Sequence, residues 1–184
     1  TPTLVSFGGG DLGGDVDDHA AGDTASFGTA GTLTVSADGG FTLVPEPGFS
    51  GEFTFDYSIT NALGSPTGTV TIAIQSPPAL AGTPPDAEMG VAYSFDFTVG
   101  GYPAPALTLT AGVLPPGLSL AGAQLSGTPT ASGLFSGITV SASNGVGTSA
   151  TVTFAIDVRQ GPAITSGDTA TFEVGSASSF LVTA

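Results

Sequence analysis

The stretch Leu114-Pro115-Pro116-Gly117-Leu118-Ser119-Leu120, answered by Leu125-Ser126-Gly127-Thr128-Pro129-Thr130, leaves this chain little choice of local structure. Two prolines fix φ and end the strand before them, and Gly117 releases the backbone. Leu118 and Leu120 then flank a serine in the alternation of a half-buried strand. Ser126-Gly127-Thr128-Pro129 closes the answering strand with a glycine turn and a proline that cannot extend the ladder. Strand, tight turn and strand is the reading these residues require.

Composition agrees along the whole length. With Gly 29 and Pro 14 in 184 residues, and with aromatics that are mainly Phe, the chain has many turns and a β rather than helical make-up. That length holds two modules of about 100 residues or somewhat fewer. The formal net charge of -14 sets 15 acidic residues against a single base, Arg159. Such a surface cannot neutralise phosphates, which argues against nucleic acid and anionic membranes as partners. Only 9% of residues are charged, so Thr, Ser, Gly and Ala must cover most of the surface. Cysteine is absent, which removes disulfides and thiolate metal sites. No apolar run reaches the roughly 18 residues of a membrane span, so no membrane insertion is expected. The chain opens at Thr1 without a basic start before an apolar core, like a piece cut from something longer.

In order, Thr3-Leu4-Val5-Ser6-Phe7 reads as a strand stopped by Gly8-Gly9-Gly10. After an acidic loop, Thr32 to Ser36 and Phe41 to Val44 flank Asp38-Gly39, a two-residue hairpin signal in which both residues must tolerate positive φ. Leu33, Val35, Phe41 and Leu43 are expected to share one buried face. Phe53, Phe55, Tyr57 and Ile59 alternate strictly, Asn61-Ala62-Leu63-Gly64 turns the chain, and Val70, Ile72 and Ile74 return. Gln75-Ser76-Pro77-Pro78 reads as a short, stiff linker. Tyr93, Phe95, Phe97 and Val99 mark the next strand, followed by Leu107 and Leu109 and then the Leu114–Thr130 stretch. Ile138, Val140 and Ala142, and finally Val152, Phe154 and Ile156, complete the set.

The stretch from Leu114 to Thr130, followed by Gly133-Leu134-Phe135 and Ile138 to Asn144, resembles the immunoglobulin-like repeat of large bacterial surface proteins. The succession Gly31 to Val35, Asp38-Gly39, Pro47-Gly48-Phe49-Ser50-Gly51 and Phe53 to Tyr57 is similar to the cadherin-like tandem repeats of bacterial adhesins. The resemblance implies an all-β chain of tandem immunoglobulin-like and cadherin-like β-sandwiches. Residues 1–76 form the cadherin-like sandwich and 77–159 the immunoglobulin-like one, the second resemblance running over 79–159. Within the chain, Tyr57-Ser-Ile-Thr-Asn61-Ala-Leu-Gly64 matches Val140-Ser-Ala-Ser-Asn144-Gly-Val-Gly147, so both modules finish with the same hairpin. Glu173 to Phe180 repeats Glu88 to Phe95. Residues 160–184 are thereby expected to be the first strands of a further module, ordered only if a sheet edge in this or another chain accepts them.

Among candidate sites, Asp11, Asp15, Asp17, Asp18 and Asp23 share one glycine-rich loop, and Ca²⁺ takes six to eight oxygens. Calcium is the cofactor this set suggests, with turn formation and solubility as the alternative. The spacing is not that of an EF-hand, because counting from Asp15 the fifth position is His19, the sixth Ala20 and the twelfth Ser26. His19 is expected to be a solvated loop residue, since no Gly-x-Ser-x-Gly elbow accompanies it. Glu46 and Glu52 sit in no acidic cleft motif. Gly8-Gly9-Gly10 and Gly13-Gly14 precede neither Lys nor a helix start, so they do not form a phosphate loop. Tyr102 is expected to pack on Pro103 and Pro105.

No catalytic residue is assigned, and the expectation is a non-catalytic extracellular or cell-surface structural module, a stalk or adhesin shaft. Two alternatives keep the fold: a filament subunit pairing its C-terminal segment with a neighbour, or a module whose loops bind surface glycans or host proteins. The expected partners are accordingly neighbouring modules of the same or identical chains.

Overall fold

The computed structural model describes residues 3–184; Thr1 and Pro2, the start of the expected first module, lie outside the described residues. The first part of the chain supplies β1 (Thr3–Gly8), a 3-10 turn η1 (Gly10–Leu12), β2 (His19–Ala20), β3 (Thr24–Ser26), β4 (Gly31–Val35), β5 (Phe41–Pro45), β6 (Gly51–Thr60) and β7 (Thr67–Ile74). They form two sheets, ordered β2-β1-β6-β7 and β3-β4-β5. Leu4, Phe7, Ala25, Leu33, Val35 and Phe55 pack as one buried cluster, with Leu43, Tyr57, Ile59, Val70 and Ile72 against it. Leu33 and Val35 occupy alternate positions of β4, as a two-residue period requires. Each large apolar side chain buried this way contributes roughly 1.5–3 kcal/mol.

Local departures from strict alternation have visible causes. The β1–β6 register shifts between Leu4 and Ser6. This bulge resets the alternation, so Leu4 and Phe7, three positions apart, both reach the core. At the β4–β5 hairpin, positive φ falls on Gly39 alone, not on Asp38 as expected. Gly39 N donates to Ser36 O at 2.9 Å and Ser36 N to Gly40 O at 2.7 Å. These bonds close a three-residue loop, Ala37-Asp38-Gly39, whose last residue takes the left-handed position. Phe41 likewise departs from the expected buried face. It remains 49% exposed, resting edge-on against Phe55 with ring centroids 6.2 Å apart.

The remaining strands are β8 (Ser76–Ala81), β9 (Ala87–Glu88), β10 (Tyr93–Asp96), β11 (Thr98–Tyr102), β12 (Ala106–Ala111), β13 (Leu118–Ala121), β14 (Gln124–Gly127), β15 (Gly133–Ser143) and β16 (Ala150–Arg159). Their sheets run β10-β14-β13, β11-β8 and β12-β15-β16-β9. The strand expected over Tyr93 to Val99 divides at Phe97, which is 5% exposed: the part before it pairs with β14 and the part after it with β8. The Phe97 N–H makes the last bond in the β14 register, to Ala123 O at 2.9 Å, and its ring meets Phe95 at 5.1 Å and Phe154 at 5.8 Å. Pro77 and Pro78 are not a linker but lie inside β8. A strand of a two-stranded sheet has one unpaired side, where a missing N–H costs nothing.

By backbone proximity the chain resolves into two compact units. One holds residues up to Leu80 with Val99–Ala106 and Ala142–Ala150; the other holds Ala81–Thr98, Leu107–Ser141 and Thr151–Ala184. In the first, Asn144 Nδ2 donates to Ser76 O at 2.9 Å and to Pro103 O at 2.8 Å. Its Oδ1 accepts from Val146 N, as Asn61 Oδ1 accepts from Leu63 N, so the two sequence-matched turns share the same side-chain bond. On strand surfaces, hydroxyl pairs face water: Thr24 with Thr34 at 2.7 Å, and Thr139 with Thr153 at 2.9 Å.

The second unit is knotted at the two glycines of the Leu114–Thr130 stretch. β13 and β14 pair Leu118 with Gly127 and Leu120 with Leu125. Pro115 and Pro129 are fully buried on either side. Gly117 has φ 92° and Gly127 φ 141°. A Cβ on Gly117 would meet Thr128 O at 2.0 Å, and one on Gly127 would meet Gly117 O at 2.0 Å. Thr128 N donates to Gly117 O at 3.1 Å and Thr130 N to Pro116 O at 2.8 Å, bonds that hold the two backbones in contact.

Residues 161–184 carry no strand. Thr165 N instead donates to Thr183 O at 2.8 Å, and the hydroxyls of Thr165 and Thr183 pair at 2.9 Å, so the segment loops back on itself. Ile164, Phe172, Val174, Phe180, Leu181 and Val182 are all exposed.

The backbone contact at Gly127 generates a comparison. Gly127→Ala is expected to lower unfolding free energy by more than about 2 kcal/mol, from strain plus the clash with Gly117 O. Gly122, at φ 58° with no atom within 4 Å of an added Cβ, is the control. Gly122→Ala is expected to cost about 1 kcal/mol. Urea unfolding of the two variants measures the difference.

Candidate functional site

Four of the five carboxylates of the acidic loop have a protein partner. Asp11 Oδ2 accepts from Thr54 N at 2.6 Å and Thr54 Oγ1 at 3.1 Å, tying η1 to β6. Asp17 Oδ1 accepts from the buried Ser6 Oγ at 2.7 Å. Asp18 Oδ2 accepts from Asp15 N at 2.9 Å, and Asp23 Oδ2 from Ala20 N at 2.9 Å, each closing a turn by a side chain three residues on. Asp15 itself contributes its carbonyl to Asp18 N at 3.2 Å. Among the described residues, no three His, Asp or Glu side chains converge at a distance suited to a metal ion. Asp11, Asp17, Asp18 and Asp23 thus close turns or tie strands, each through one carboxylate oxygen.

His19 is not the solvated loop residue expected of it. It belongs to β2, pairs with Phe7 across the ladder and lays its half-buried ring on that phenyl at 5.2 Å. Glu46 and Glu52 are exposed, on a turn and on β6. Tyr102 is half-buried, with its N–H donated to Ser76 Oγ at 3.0 Å.

One charged cluster escaped the sequence reading. Arg159, at the end of β16, pairs with Asp86 and more loosely with Asp157. Parallel pairing of Arg159 with Glu88 brings β9 and its neighbour Asp86 alongside. The nearby Tyr93 hydroxyl donates to Pro85 O at 2.9 Å. Burial, and then the charge of Asp86, push the phenol up to about 12. The sequence signal was the placement of the sole base two residues after Asp157. Arg159 and its partners are largely exposed, so the cluster is a surface ion pair and not a reaction centre.

Residues 3–75 match the family described as "Bacterial Ig domain", and residues 77–159 the family described as "Putative Ig domain". The chain is a tandem of bacterial immunoglobulin-like domains. Among the described residues, the regular elements of both immunoglobulin-like domains are β-strands, apart from the 3-10 turn η1. No curated protein matches the chain. Solved structures with a similar arrangement of strands include Sidekick-1 immunoglobulin domains 1–4, at 15% identity and TM-score 0.48, covering 85% of this chain and 40% of that one. The insect immune protein hemolin has 16% identity and TM-score 0.40, over 87% and 39% of the two chains. An endo-fucoidan hydrolase of glycoside hydrolase family 107 has 19% identity and TM-score 0.37, over 88% and 24%. The immunoglobulin-like tandem thus spans less than half the length of each of these. No helix among the described residues is long and apolar enough to cross a membrane.

Two outcomes follow for the immunoglobulin-like tandem. Millimolar calcium is expected to leave its melting temperature unchanged, while Asp11→Ala lowers unfolding free energy by about 1 kcal/mol through loss of the Thr54 bonds; calorimetry reads both. The phenol of Tyr93 titrates above its ordinary value of 10 when folded. Its stabilising effect is therefore fully present below pH 10 and lost as pH rises from 10 to about 12. Tyr93→Phe is expected to flatten stability over that window in urea titrations.

Proposed function

We propose that this tandem is a non-catalytic, extracellular structural module of a larger bacterial surface or secreted protein, serving as a length of stalk or adhesin shaft. The observation that carries the reading is that most of the conspicuous polar side chains make structural bonds. The aspartates brace turns and strands, His19 packs on Phe7, and Asn61 and Asn144 hold hairpin ends. A nucleophile held beside a base and an oxyanion site, which acyl transfer needs, has no counterpart among these bonds. Net charge of -14 with one base fits neither nucleic acid nor anionic lipid as partner. Antibody labelling of intact cells that make the protein tests the location: signal before lysis, lost on protease shaving, is expected. Signal only after lysis would sink the reading.

A second reading, a self-assembling filament subunit, is favoured by residues 161–184. Six large apolar side chains there are exposed, and the segment repeats residues that pair in sheets elsewhere in the chain. A segment without a sheet edge of its own is available to a neighbour's. On this reading the full chain forms large species by light scattering, and deletion of residues 161–184 abolishes them. Identical scattering from both chains would count against it.

A further inference from the structure

The first unit contains a cleft of about 440 Å³ beneath the Ala37-Asp38-Gly39 turn. Leu4, Val35, Phe41, Phe55, Tyr57 and Val70 line it, with Asp38 at the turn. We propose that this cleft binds an organic cation, a quaternary or alkylated ammonium group, held between aromatic faces with Asp38 as the charge partner.

Three observations carry the assignment. Volume comes first, because ligand sites run from about 300 to 1,000 Å³ and are mostly apolar with a few placed polar groups. The second is the aromatic walls. Phe41, 49% exposed, is a ring a ligand can reach; Phe55, at 1% exposed, only supports it from below, the two rings meeting at 72°. Tyr57 is set by its cross-strand partner Gly68, where a Cβ would come within 2.8 Å of the phenol ring. Faces of such rings carry negative charge density and attract ammonium groups within about 6 Å of the centroid. The third is the sign of the field. Arg159 is the sole Lys or Arg in the chain and lies in the second unit, so every formal charge of residues 3–75 is negative at neutral pH. Carboxylate and phosphate ligands are repelled from such a site, and a cation is drawn to it. Asp38 Oδ1 accepts from Gly40 N at 2.9 Å, which holds the carboxylate on the turn.

The test is calorimetric titration of the full chain with tetraethylammonium and choline. The neutral choline isostere 3,3-dimethylbutan-1-ol, at matched ionic strength, is the control. The ammonium probes are expected to bind with Kd of about a millimolar or below, and the neutral isostere at least about fivefold more weakly. Phe41→Leu keeps apolar bulk at a half-exposed position but removes the ring face. It is expected to weaken ammonium binding about fivefold while leaving the neutral isostere unaffected. Asp38→Asn, which keeps the acceptor for Gly40 N, is expected to weaken ammonium binding and reduce its dependence on salt. Melting temperatures near that of the parent certify both variants as folded, and chemical-shift changes confined to Phe41, Tyr57 and Val70 locate the site in the parent. Equal affinity for the neutral isostere, no saturable ammonium binding, or undiminished binding by folded Phe41→Leu would each overturn the proposal.

Discussion

Cohesion in this chain rests on apolar side chains buried at alternate positions of paired strands, because no other source of comparable size is present. Cysteine is absent, and the one arginine makes ion pairs that are 69% and 47% exposed at their two ends. A pair so exposed contributes about 1 kcal/mol or less. Phe7, Leu33, Val35 and Phe55 on one side of the chain's midpoint, and Leu125, Ile138, Val140, Ile156 and Val158 on the other, are all essentially inaccessible to water. Register therefore matters more here than in a disulfide-stapled domain, because a one-residue slip would turn each buried set outward. The devices that fix register are correspondingly specific: a bulge at Val5, side-chain bonds at Asn61 and Asn144, and the Gly117–Gly127 backbone contact.

The polar residues follow the same logic. Asp17, Asp11, Asp18 and Asp23 each take a backbone or hydroxyl donor: Ser6 inside the sheet, Thr54 opposite η1, and turn N–H groups at Asp15 and Ala20. None of the described buried side-chain polar atoms lacks a partner. An unmatched buried group marks a place where strain or chemistry is retained, and this chain has none among the described residues. Such a pattern suits a part whose task is to keep its shape.

Much of this was legible in the residues themselves. Alternation located the strands, and the shared Asn61 and Asn144 phrases identified equivalent hairpins that form the same side-chain bond. What sequence could not show was which sheet a strand joins. Tyr93 to Val99 reads as one strand, yet it divides at Phe97 and the halves pair with different neighbours. Periodicity is likewise silent on edges, so Pro77 and Pro78 read as a linker although they lie in β8. At the candidate site, the five aspartates were visible as a set, but their partners were not. Thr54 lies 43 residues from Asp11, and no local pattern reports that bond. His19 was misplaced for the same reason, since its environment is a phenyl ring brought alongside by β1–β2 pairing.

The paired hydroxyls of Thr24 with Thr34 and Thr139 with Thr153 carry a consequence for the medium in which the chain works. Neutral dipoles at bonding distance are not weakened by dissolved ions, unlike the charge networks with which many proteins dress their strands. Added electrolyte here screens repulsion among the carboxylates and weakens the exposed Arg159 pairs. These hydroxyl pairs are expected to persist from dilute water to brine.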